Sequence, residues 1–209
     1  MKKDLIIIGD GQFARLVFRV INRTKDYRVA AFIGKKTKRL CGIKVYPFNF
    51  LKSFRKKYKY YVLAVGDILI RKKLISSLKK KGFNSSNFPV IIDPSCILID
   101  GYKNIRSGTI ILPNSTLLND VKIGRFNIIG TSVKILHNSI IGNNCVIGGG
   151  SIIGANVTIN NEIFVGVGAT FCSKKIKVGS KSFVCAGSVI LKNVRPNSKI
   201  IGNPAKEII

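Results

Sequence analysis

The sequence predicts a small parallel α/β sheet followed by a parallel β solenoid. Three observations predict it. An aliphatic residue recurs every six positions at Ile111, Leu117, Ile123, Ile129, Ile135, Ile141, Ile147, Ile153, Ile159 and Val165, and the count closes on Phe171. Glycine often follows it (Gly124, Gly130, Gly142, Gly148, Gly154, Gly166), and four positions after it stands a mostly small or β-branched residue such as Ser115, Val133, Ser139 or Cys145. Ahead of the repeat, short apolar runs ending in glycine alternate with helical patterns. A helix needs a period of about 3.6 and a half-buried strand a period of two, so the repeat is neither. It means one short strand and one tight turn per repeat, three repeats closing a triangular coil. The aliphatic side chain points inward, the small one fits beside it, and glycine eases the turn backbone. Coils then stack at the ordinary strand spacing of about 4.8 Å.

Taken in order, Asp4–Gly9 is a short apolar run ending in glycine, a buried parallel strand. Asp10-Gly11-Gln12 turns the chain into a helix carrying Phe13, Leu16, Val17 and Val20. A second strand covers 29–33 and a third 60–65, ending at Gly66-Asp67. The helix over 68–80 sets Ile68, Ile70, Leu74, Ile75 and Leu78 on a core-facing stripe. A fourth strand covers 88–92, and Asp93-Pro94 closes the sheet, giving domains of 1–92 and 93–209. Alternating strands and helices place ligands at the strand ends. Gly9-Asp10-Gly11 is a fragment of a dinucleotide-binding loop, equally readable as a tight strand-to-helix turn, and Gly66-Asp67 carries the same two readings. Residues 93–110 form the linker and an incomplete first coil, since a solenoid end needs a cap.

The count slips once near its end: Val178-Gly179 follows Phe171 by seven residues, so one residue bulges around Ser173-Lys174-Lys175. The repeat stops at Asn193-Val194-Arg195-Pro196, and Gly202-Asn203-Pro204-Ala205-Lys206 lies in the tail. At Ile135-Leu136-His137-Asn138 leucine replaces glycine, and the chain's one histidine follows at a corner. A lone histidine is more often structural, but a corner residue points outward, so His137 does not fill the coil and is open to a neighbouring subunit.

Composition bounds the rest. With 209 residues, 46% hydrophobic and a positive mean hydropathy, the chain can build one large core or two modest ones. No apolar run approaches about 18 residues, so no membrane span is expected, and the start is too short in apolar residues for a signal peptide. Five cysteines without metal-ligand spacing read as structural thiols in a reducing cytoplasm, and no metal is expected. The net charge of +27 is mostly lysine, spread through both halves, with one dense run at Lys79-Lys80-Lys81 ending a helix. Basic and aromatic residues are not interleaved as base-stacking requires, so nucleic acid is not expected. General lysine richness together with anionic small substrates is the leading reason for the charge, with peripheral attraction to an anionic membrane as the alternative.

The repeats, the amino-terminal Ile8-Gly9-Asp10-Gly11 and Ala64-Val65-Gly66-Asp67, and the closing Gly202-Asn203-Pro204-Ala205-Lys206 together resemble the hexapeptide-repeat sugar O-/N-acyltransferases. The nearest subgroup is the sialic acid O-acetyltransferase / bacillosamine-type N-acetyltransferase family. The resemblance implies a left-handed β-helix after a small Rossmann-like domain, a homotrimer, acetyl-CoA as donor and a nucleotide-linked sugar as acceptor in surface-glycan biosynthesis. His137 falls on the family's catalytic base. Three positions depart from the pattern. Asn138 stands where Asp or Glu follows the base, Gly130 where a polar residue precedes it, and Gly34-Lys35 where an acidic pair meets the nucleotide.

On these readings the chain is an acetyltransferase acting on an amino, or alternatively a hydroxyl, group. An amine is the better nucleophile once deprotonated and suffers less from a missing carboxylate. Asn138 offers its amide oxygen to the His137 ring. Ala155 lies 18 residues on, one full coil, and its N–H faces the same cleft as an oxyanion donor. Gly148, Gly166, Ala186 and Gly187 offer backbone along which acetyl-CoA lies, and Lys206 a charge for a phosphate. Gly9, Asp10, Gly11 and Gly66 hold the acceptor's nucleotide. A γ-class carbonic anhydrase needs three zinc histidines and is excluded by the single one. The competing class is a non-catalytic trimeric scaffold binding anionic lipid or nucleic acid.

Overall fold

The structure, a computed structural model, describes residues 1–208. Among the described residues, 1–94 and 95–208 form two compact units.

The first unit is built on a five-stranded sheet. Its strands are β1 (Lys3–Ile8), β2 (Tyr27–Gly34), β3 (Lys38–Leu40), β4 (Ile43–Pro47) and β5 (Tyr60–Leu63), ordered β3-β4-β2-β1-β5. All pairs are parallel except β3–β4, an edge hairpin with Gly42 in the left-handed region. Leu5 to Ile8 are fully buried, as a strand covered on both faces requires. Helix α1 (Gln12–Arg23) buries Ala14, Val17, Val20 and Ile21, one face at three- and four-residue spacing, while Leu16 stays half-exposed. Helices α2 (Leu51–Lys57) and α3 (Ile68–Lys80) complete the unit.

Two expectations are corrected here. Residues 88–92 do not add a strand to this sheet; its remaining members are the β3–β4 hairpin, whose three- to five-residue strands gave too little periodicity to detect. On α3 the apolar stripe is not continuous: Leu78 is buried as expected, but Ile70 is 53% exposed and Arg71 is buried instead. Arg71 turns back to donate from Nη1 to the carbonyl oxygens of Val65 (3.1 Å) and Gly66 (3.3 Å). A buried guanidinium is tolerable only with such partners.

The second unit is a left-handed parallel β-helix of two-residue strands. Three sheets run along it. Ile110–Ile111, Ile128–Ile129, Val146–Ile147, Phe164–Val165 and Phe183–Val184 stack in the first, ending on the antiparallel tail hairpin of Lys199–Gly202 and Ala205–Ile208. The second holds Thr116–Leu117, Lys134–Ile135, Ile152–Ile153, Thr170–Phe171 and Val189–Ile190; the third holds Lys122–Ile123, Ile140–Ile141, Thr158–Ile159 and Lys177–Val178. Partners are 18 residues apart, as Ile128↔Val146 and Lys134↔Ile152 show, and 19 apart across the bulge, as in Thr158↔Lys177. Ile97–Leu98 starts the second sheet as the incomplete first coil.

The six-residue aliphatics from Ile111 to Phe171 are all buried, at 4% exposure or less. Each such side chain stabilises by about 1.5–3 kcal/mol. Beside them the small residues do more than fit. The hydroxyls of Ser115, Ser139 and Ser151 donate to the carbonyl oxygens of Gly130, Gly154 and Gly166 at 2.7, 2.7 and 3.0 Å, and the Asn127 amide donates to Gly142 at 2.7 Å. The interior thus satisfies polar groups that would otherwise be costly to bury.

The glycines after the aliphatic positions have a different reason from the one expected. None of them is in the left-handed region; a Cβ at Gly142 would lie 2.7 Å from the Asn160 carbonyl, and one at Gly154 2.4 Å from the Phe171 oxygen. Close stacking of coils excludes the side chain. The left-handed residue comes two positions later, at Asn114, Asp120, Phe126, Ser132, Asn138, Asn144, Gly150 and onward.

Candidate active site

Each coil has three corners. His137 follows the second-sheet strand Lys134–Ile135, at the corner that also carries Asn119, Ala155 and Ser173. It is half-buried. The N–H of Asn156 donates to its carbonyl oxygen at 3.0 Å, fixing the backbone to the coil above. Among the described residues the His137 ring has no hydrogen-bond partner, and the Asn138 side chain does not reach it. Asn138 is exposed with φ +59°, the left-handed corner conformation that asparagine adopts more readily than most residues. Asparagine suits this backbone, although Phe126, Glu162 and Lys181 adopt the same conformation at other corners.

Ala155 lies one coil above His137, as the count requires. Its N–H, however, already donates to Ser173 Oγ at 3.1 Å. The bond belongs to a general device: at another corner Arg125 N–H donates to Asn143 Oδ1 at 2.8 Å and Asn143 N–H to Asn161 Oδ1 at 2.7 Å. Such a ladder cannot reach His137, because Ala155 above it carries no acceptor. Ser173 had no signal in the sequence beyond lying in the bulge.

Gly148, Gly166, Ala186, Gly187 and Lys206 gather at a different corner, between the first and second sheets. Here the left-handed position is glycine in three successive coils, Gly150 (φ +69°), Gly168 (φ +67°) and Gly187 (φ +66°), each with open space where a Cβ would stand. Gly148 and Gly166 lie under the backbone of Val167 and Ala186, leaving no room for a side chain. The result is a strip of nearly bare backbone. Lys206, exposed and paired with Ile201 on the tail hairpin, stands at its carboxy-terminal end. Gly130, where a polar residue was expected, belongs to the same packing: its Cβ would lie 2.5 Å from Gly149 N.

In the first unit, Gly9 has φ +134°, and a Cβ there would lie 2.4 Å from the Ala64 oxygen, so only glycine fits between the ends of β1 and β5. This is where strand order reverses, the usual ligand crevice of such sheets. Gly11 is the N-cap of α1, which has no side-chain cap and no acidic residue in its first turn. Asp10 turns toward the end of β2. Its carboxylate sits over Gly34, pairs with Lys38 Nζ at 3.0 Å and approaches Lys35 N at 3.4 Å. Gly34 is needed because a Cβ would lie 2.5 Å from that of Asp10. Lys38, on the hairpin missed in the sequence, therefore neutralises the Asp10 carboxylate. Asp67 takes its structural role: it caps α3, accepting from Ile70 N at 2.7 Å, while Gly66 next to it has open space.

The described residues contain no group of three metal-ligating side chains, and no helix is long and apolar enough to cross a membrane.

A parallel β-helix that follows a Rossmann-like unit in the sequence is the fold of solved sugar acetyltransferases that this chain resembles. Within that class the chain resembles the bacillosamine-type N-acetyltransferases. Residues 4–78 match the PglD N-terminal domain. UDP-N-acetylbacillosamine N-acetyltransferase of Bacillus subtilis is 30% identical over 115 residues, 53% of this chain and 51% of that protein, so the match spans about half of each. Among solved structures, PerB of Caulobacter crescentus, held with CoA and GDP-perosamine, superposes with a TM-score of 0.88 and 26% identity over 98% of this chain and 96% of that one. The acetyltransferase domain of PglB from Neisseria gonorrhoeae shares the fold with a TM-score of 0.87 and 21% identity over 99% and 100%.

Proposed function

We propose that the chain transfers the acetyl group of acetyl-CoA to an amino group on a nucleotide-linked sugar, as a step of surface-glycan assembly. The observation that carries this is His137: an imidazole with no protein partner, at a solenoid corner, in a fold shared with a structure that holds CoA and an amino-sugar nucleotide. In this reading the sugar amine attacks the thioester carbonyl carbon, its proton passes to a ring nitrogen of His137, and the departing thiolate takes that proton back. Histidine suits both steps because its ordinary pKa, near 6.5, lies close to working pH. The Ala155 N–H, released by rotation of the Ser173 hydroxyl, donates to the carbonyl oxygen as it gains charge. Asn138 holds the corner that presents the ring.

The donor lies along the glycine corner, its backbone groups against Gly148, Gly166, Ala186 and Gly187, with Lys206 meeting a phosphate. The nucleotide lies over Gly9, Gly11 and Gly66, its charge favoured by the open amino terminus of α1, with Asp10 held off the phosphates by Lys38 and free to meet a hydroxyl. Within one chain the His137 corner and the glycine corner are separated by the second sheet, so a homotrimer completes the site by bringing one chain's base to its neighbour's donor. The outward residues of the first sheet support such assembly: Val146, Phe164 and Phe183 are apolar and part-exposed, with the two phenylalanine rings stacked at 4.7 Å. A cytoplasmic location belongs to the same reading, as does an anionic membrane surface as a further partner.

The test is acetyl transfer from acetyl-CoA to amino-sugar nucleotides carrying uridine, guanosine or thymidine diphosphate, read as CoA thiol release. Release that requires one of these acceptors supports the reading. Release with none of them, although acetyl-CoA binds, contradicts it.

A further inference from the structure

The positive charge is not evenly shared. Residues 1–94 hold 23 of the 36 Lys and Arg but five of the nine Asp and Glu, a net +18 of the chain's +27. Helices α2 and α3 contain no acidic residue at all. Between them lie two adjoining recesses. One, of about 460 Å³, is lined by Leu51, Lys52, Arg55, Lys56, Lys81 and Phe83. The other, of about 350 Å³, shares Leu51 and Lys81 and is walled by Phe48, Leu74 and Leu78.

A solvated cationic face would explain lysines at helix carboxy termini, where they suit the dipole. It does not explain this cluster. Lys52 stands in the first turn of α2, the unfavourable end, and Arg55 spends its guanidinium over the Phe83 ring at 5.7 Å. Lys52, Arg55, Lys56 and Lys81 have no carboxylate partner among the described residues. Four like charges gathered around an apolar floor repel one another, and a bound anion relieves that. The floor is aliphatic and aromatic, with Leu51, Leu78 and Phe83 at 4% exposure or less, and Phe48 and Phe50 stand half-exposed beside it.

We propose that this cleft between α2 and α3 docks the chain on an anionic membrane, the four cations taking a lipid headgroup phosphate and the apolar floor the start of its chain. The proposal gives a place to the membrane partner named above. Nucleic acid fits less well, because the ring that the four cations surround, Phe83, is buried and offers no open face for a base.

The test is cosedimentation of the full chain with vesicles of phosphatidylcholine alone or equimolar with phosphatidylglycerol. Binding should require phosphatidylglycerol and weaken with salt. Lys52→Gln/Arg55→Gln/Lys56→Gln/Lys81→Gln should lose at least about a hundredfold in partition. The equally charged control Lys25→Gln/Lys103→Gln/Lys122→Gln/Lys192→Gln should lose less than about fivefold. A triple variant that keeps Arg55 on Phe83 guards against misfolding and should still lose about tenfold or more. Equal losses in both quadruple variants, no binding by the parent chain, full competition by glycerol phosphate, or preference for single-stranded RNA over the vesicles would each overturn the proposal. Vesicle binding is read without acetyl transfer, so its failure and that of the enzymatic reading are separate results.

Discussion

The N–H of Ala155 donates to the hydroxyl oxygen of Ser173 at 3.1 Å, with Ser173 one coil above Ala155 and His137 one coil below it. If Ala155 is the oxyanion donor, Ser173 is its placeholder rather than a participant. Ser173→Ala should leave turnover unchanged or raise it, since the N–H is then free. Loss of a true donor costs roughly 10²–10³ in rate. A fall of about tenfold or more would assign the hydroxyl itself to the reaction.

The Asp10–Lys38 pair makes a second prediction. Lys38→Ala exposes an unneutralised carboxylate beside the proposed nucleotide crevice, and binding of the nucleotide sugar should weaken by about tenfold. Adding Asp10→Asn to that variant should recover most of the loss. Titration calorimetry checks both, and unchanged affinity in Lys38→Ala would move the diphosphate away from Asp10.

Coil spacing is tested by Gly142→Ala. The new Cβ would stand 2.7 Å from the Asn160 carbonyl, so neighbouring coils must part. A cost of about 1–3 kcal/mol is expected from such overpacking, seen as a lower urea midpoint. A neutral variant would mean that glycine serves the backbone there after all.

The tail hairpin carries a pH dependence. Glu207 Oε1 accepts from Ser198 Oγ at 2.7 Å, and Oε2 accepts from the Arg195 guanidinium at 2.7 and 3.1 Å. The Ser198 hydrogen bond first, and Arg195 second, hold its carboxyl below the ordinary value. The folded state therefore favours the ionised form. Its contribution is full above the unfolded pKa and is lost as pH falls through the folded one. Amide exchange on Lys206 and Glu207 should quicken through that acidic window, and Glu207→Gln should abolish the pH dependence. A Gln variant with the same profile would assign the change elsewhere.

Much of the solenoid was legible because one residue in six must be aliphatic when coils are two-residue strands and tight corners, and even the bulge at Ser173-Lys174-Lys175 showed as a slipped count. What the count concealed was hydrogen bonding. The Ser139-to-Gly154 bond joins residues 15 apart, and the Ala155-to-Ser173 bond joins residues either side of a coil. No local pattern marks either. Asn138 invited comparison with a catalytic carboxylate, yet it sits at a left-handed corner with φ +59°, a conformation asparagine adopts readily. In the first unit the strands ending at Gly9 and near Gly66 were plain, whereas Lys38 was hidden because β3 is three residues long. Arg71 was hidden because an arginine in a basic helix gives no sign of being buried.

The most direct test is the turnover of His137→Ala with acetyl-CoA and the best amino-sugar nucleotide, both saturating. Turnover should fall by at least about a hundredfold while acetyl-CoA binding and oligomeric state stay those of the parent chain. A loss below about tenfold, with chemistry shown to limit the rate, would contradict His137 as the base and leave an acceptor amine that arrives already deprotonated.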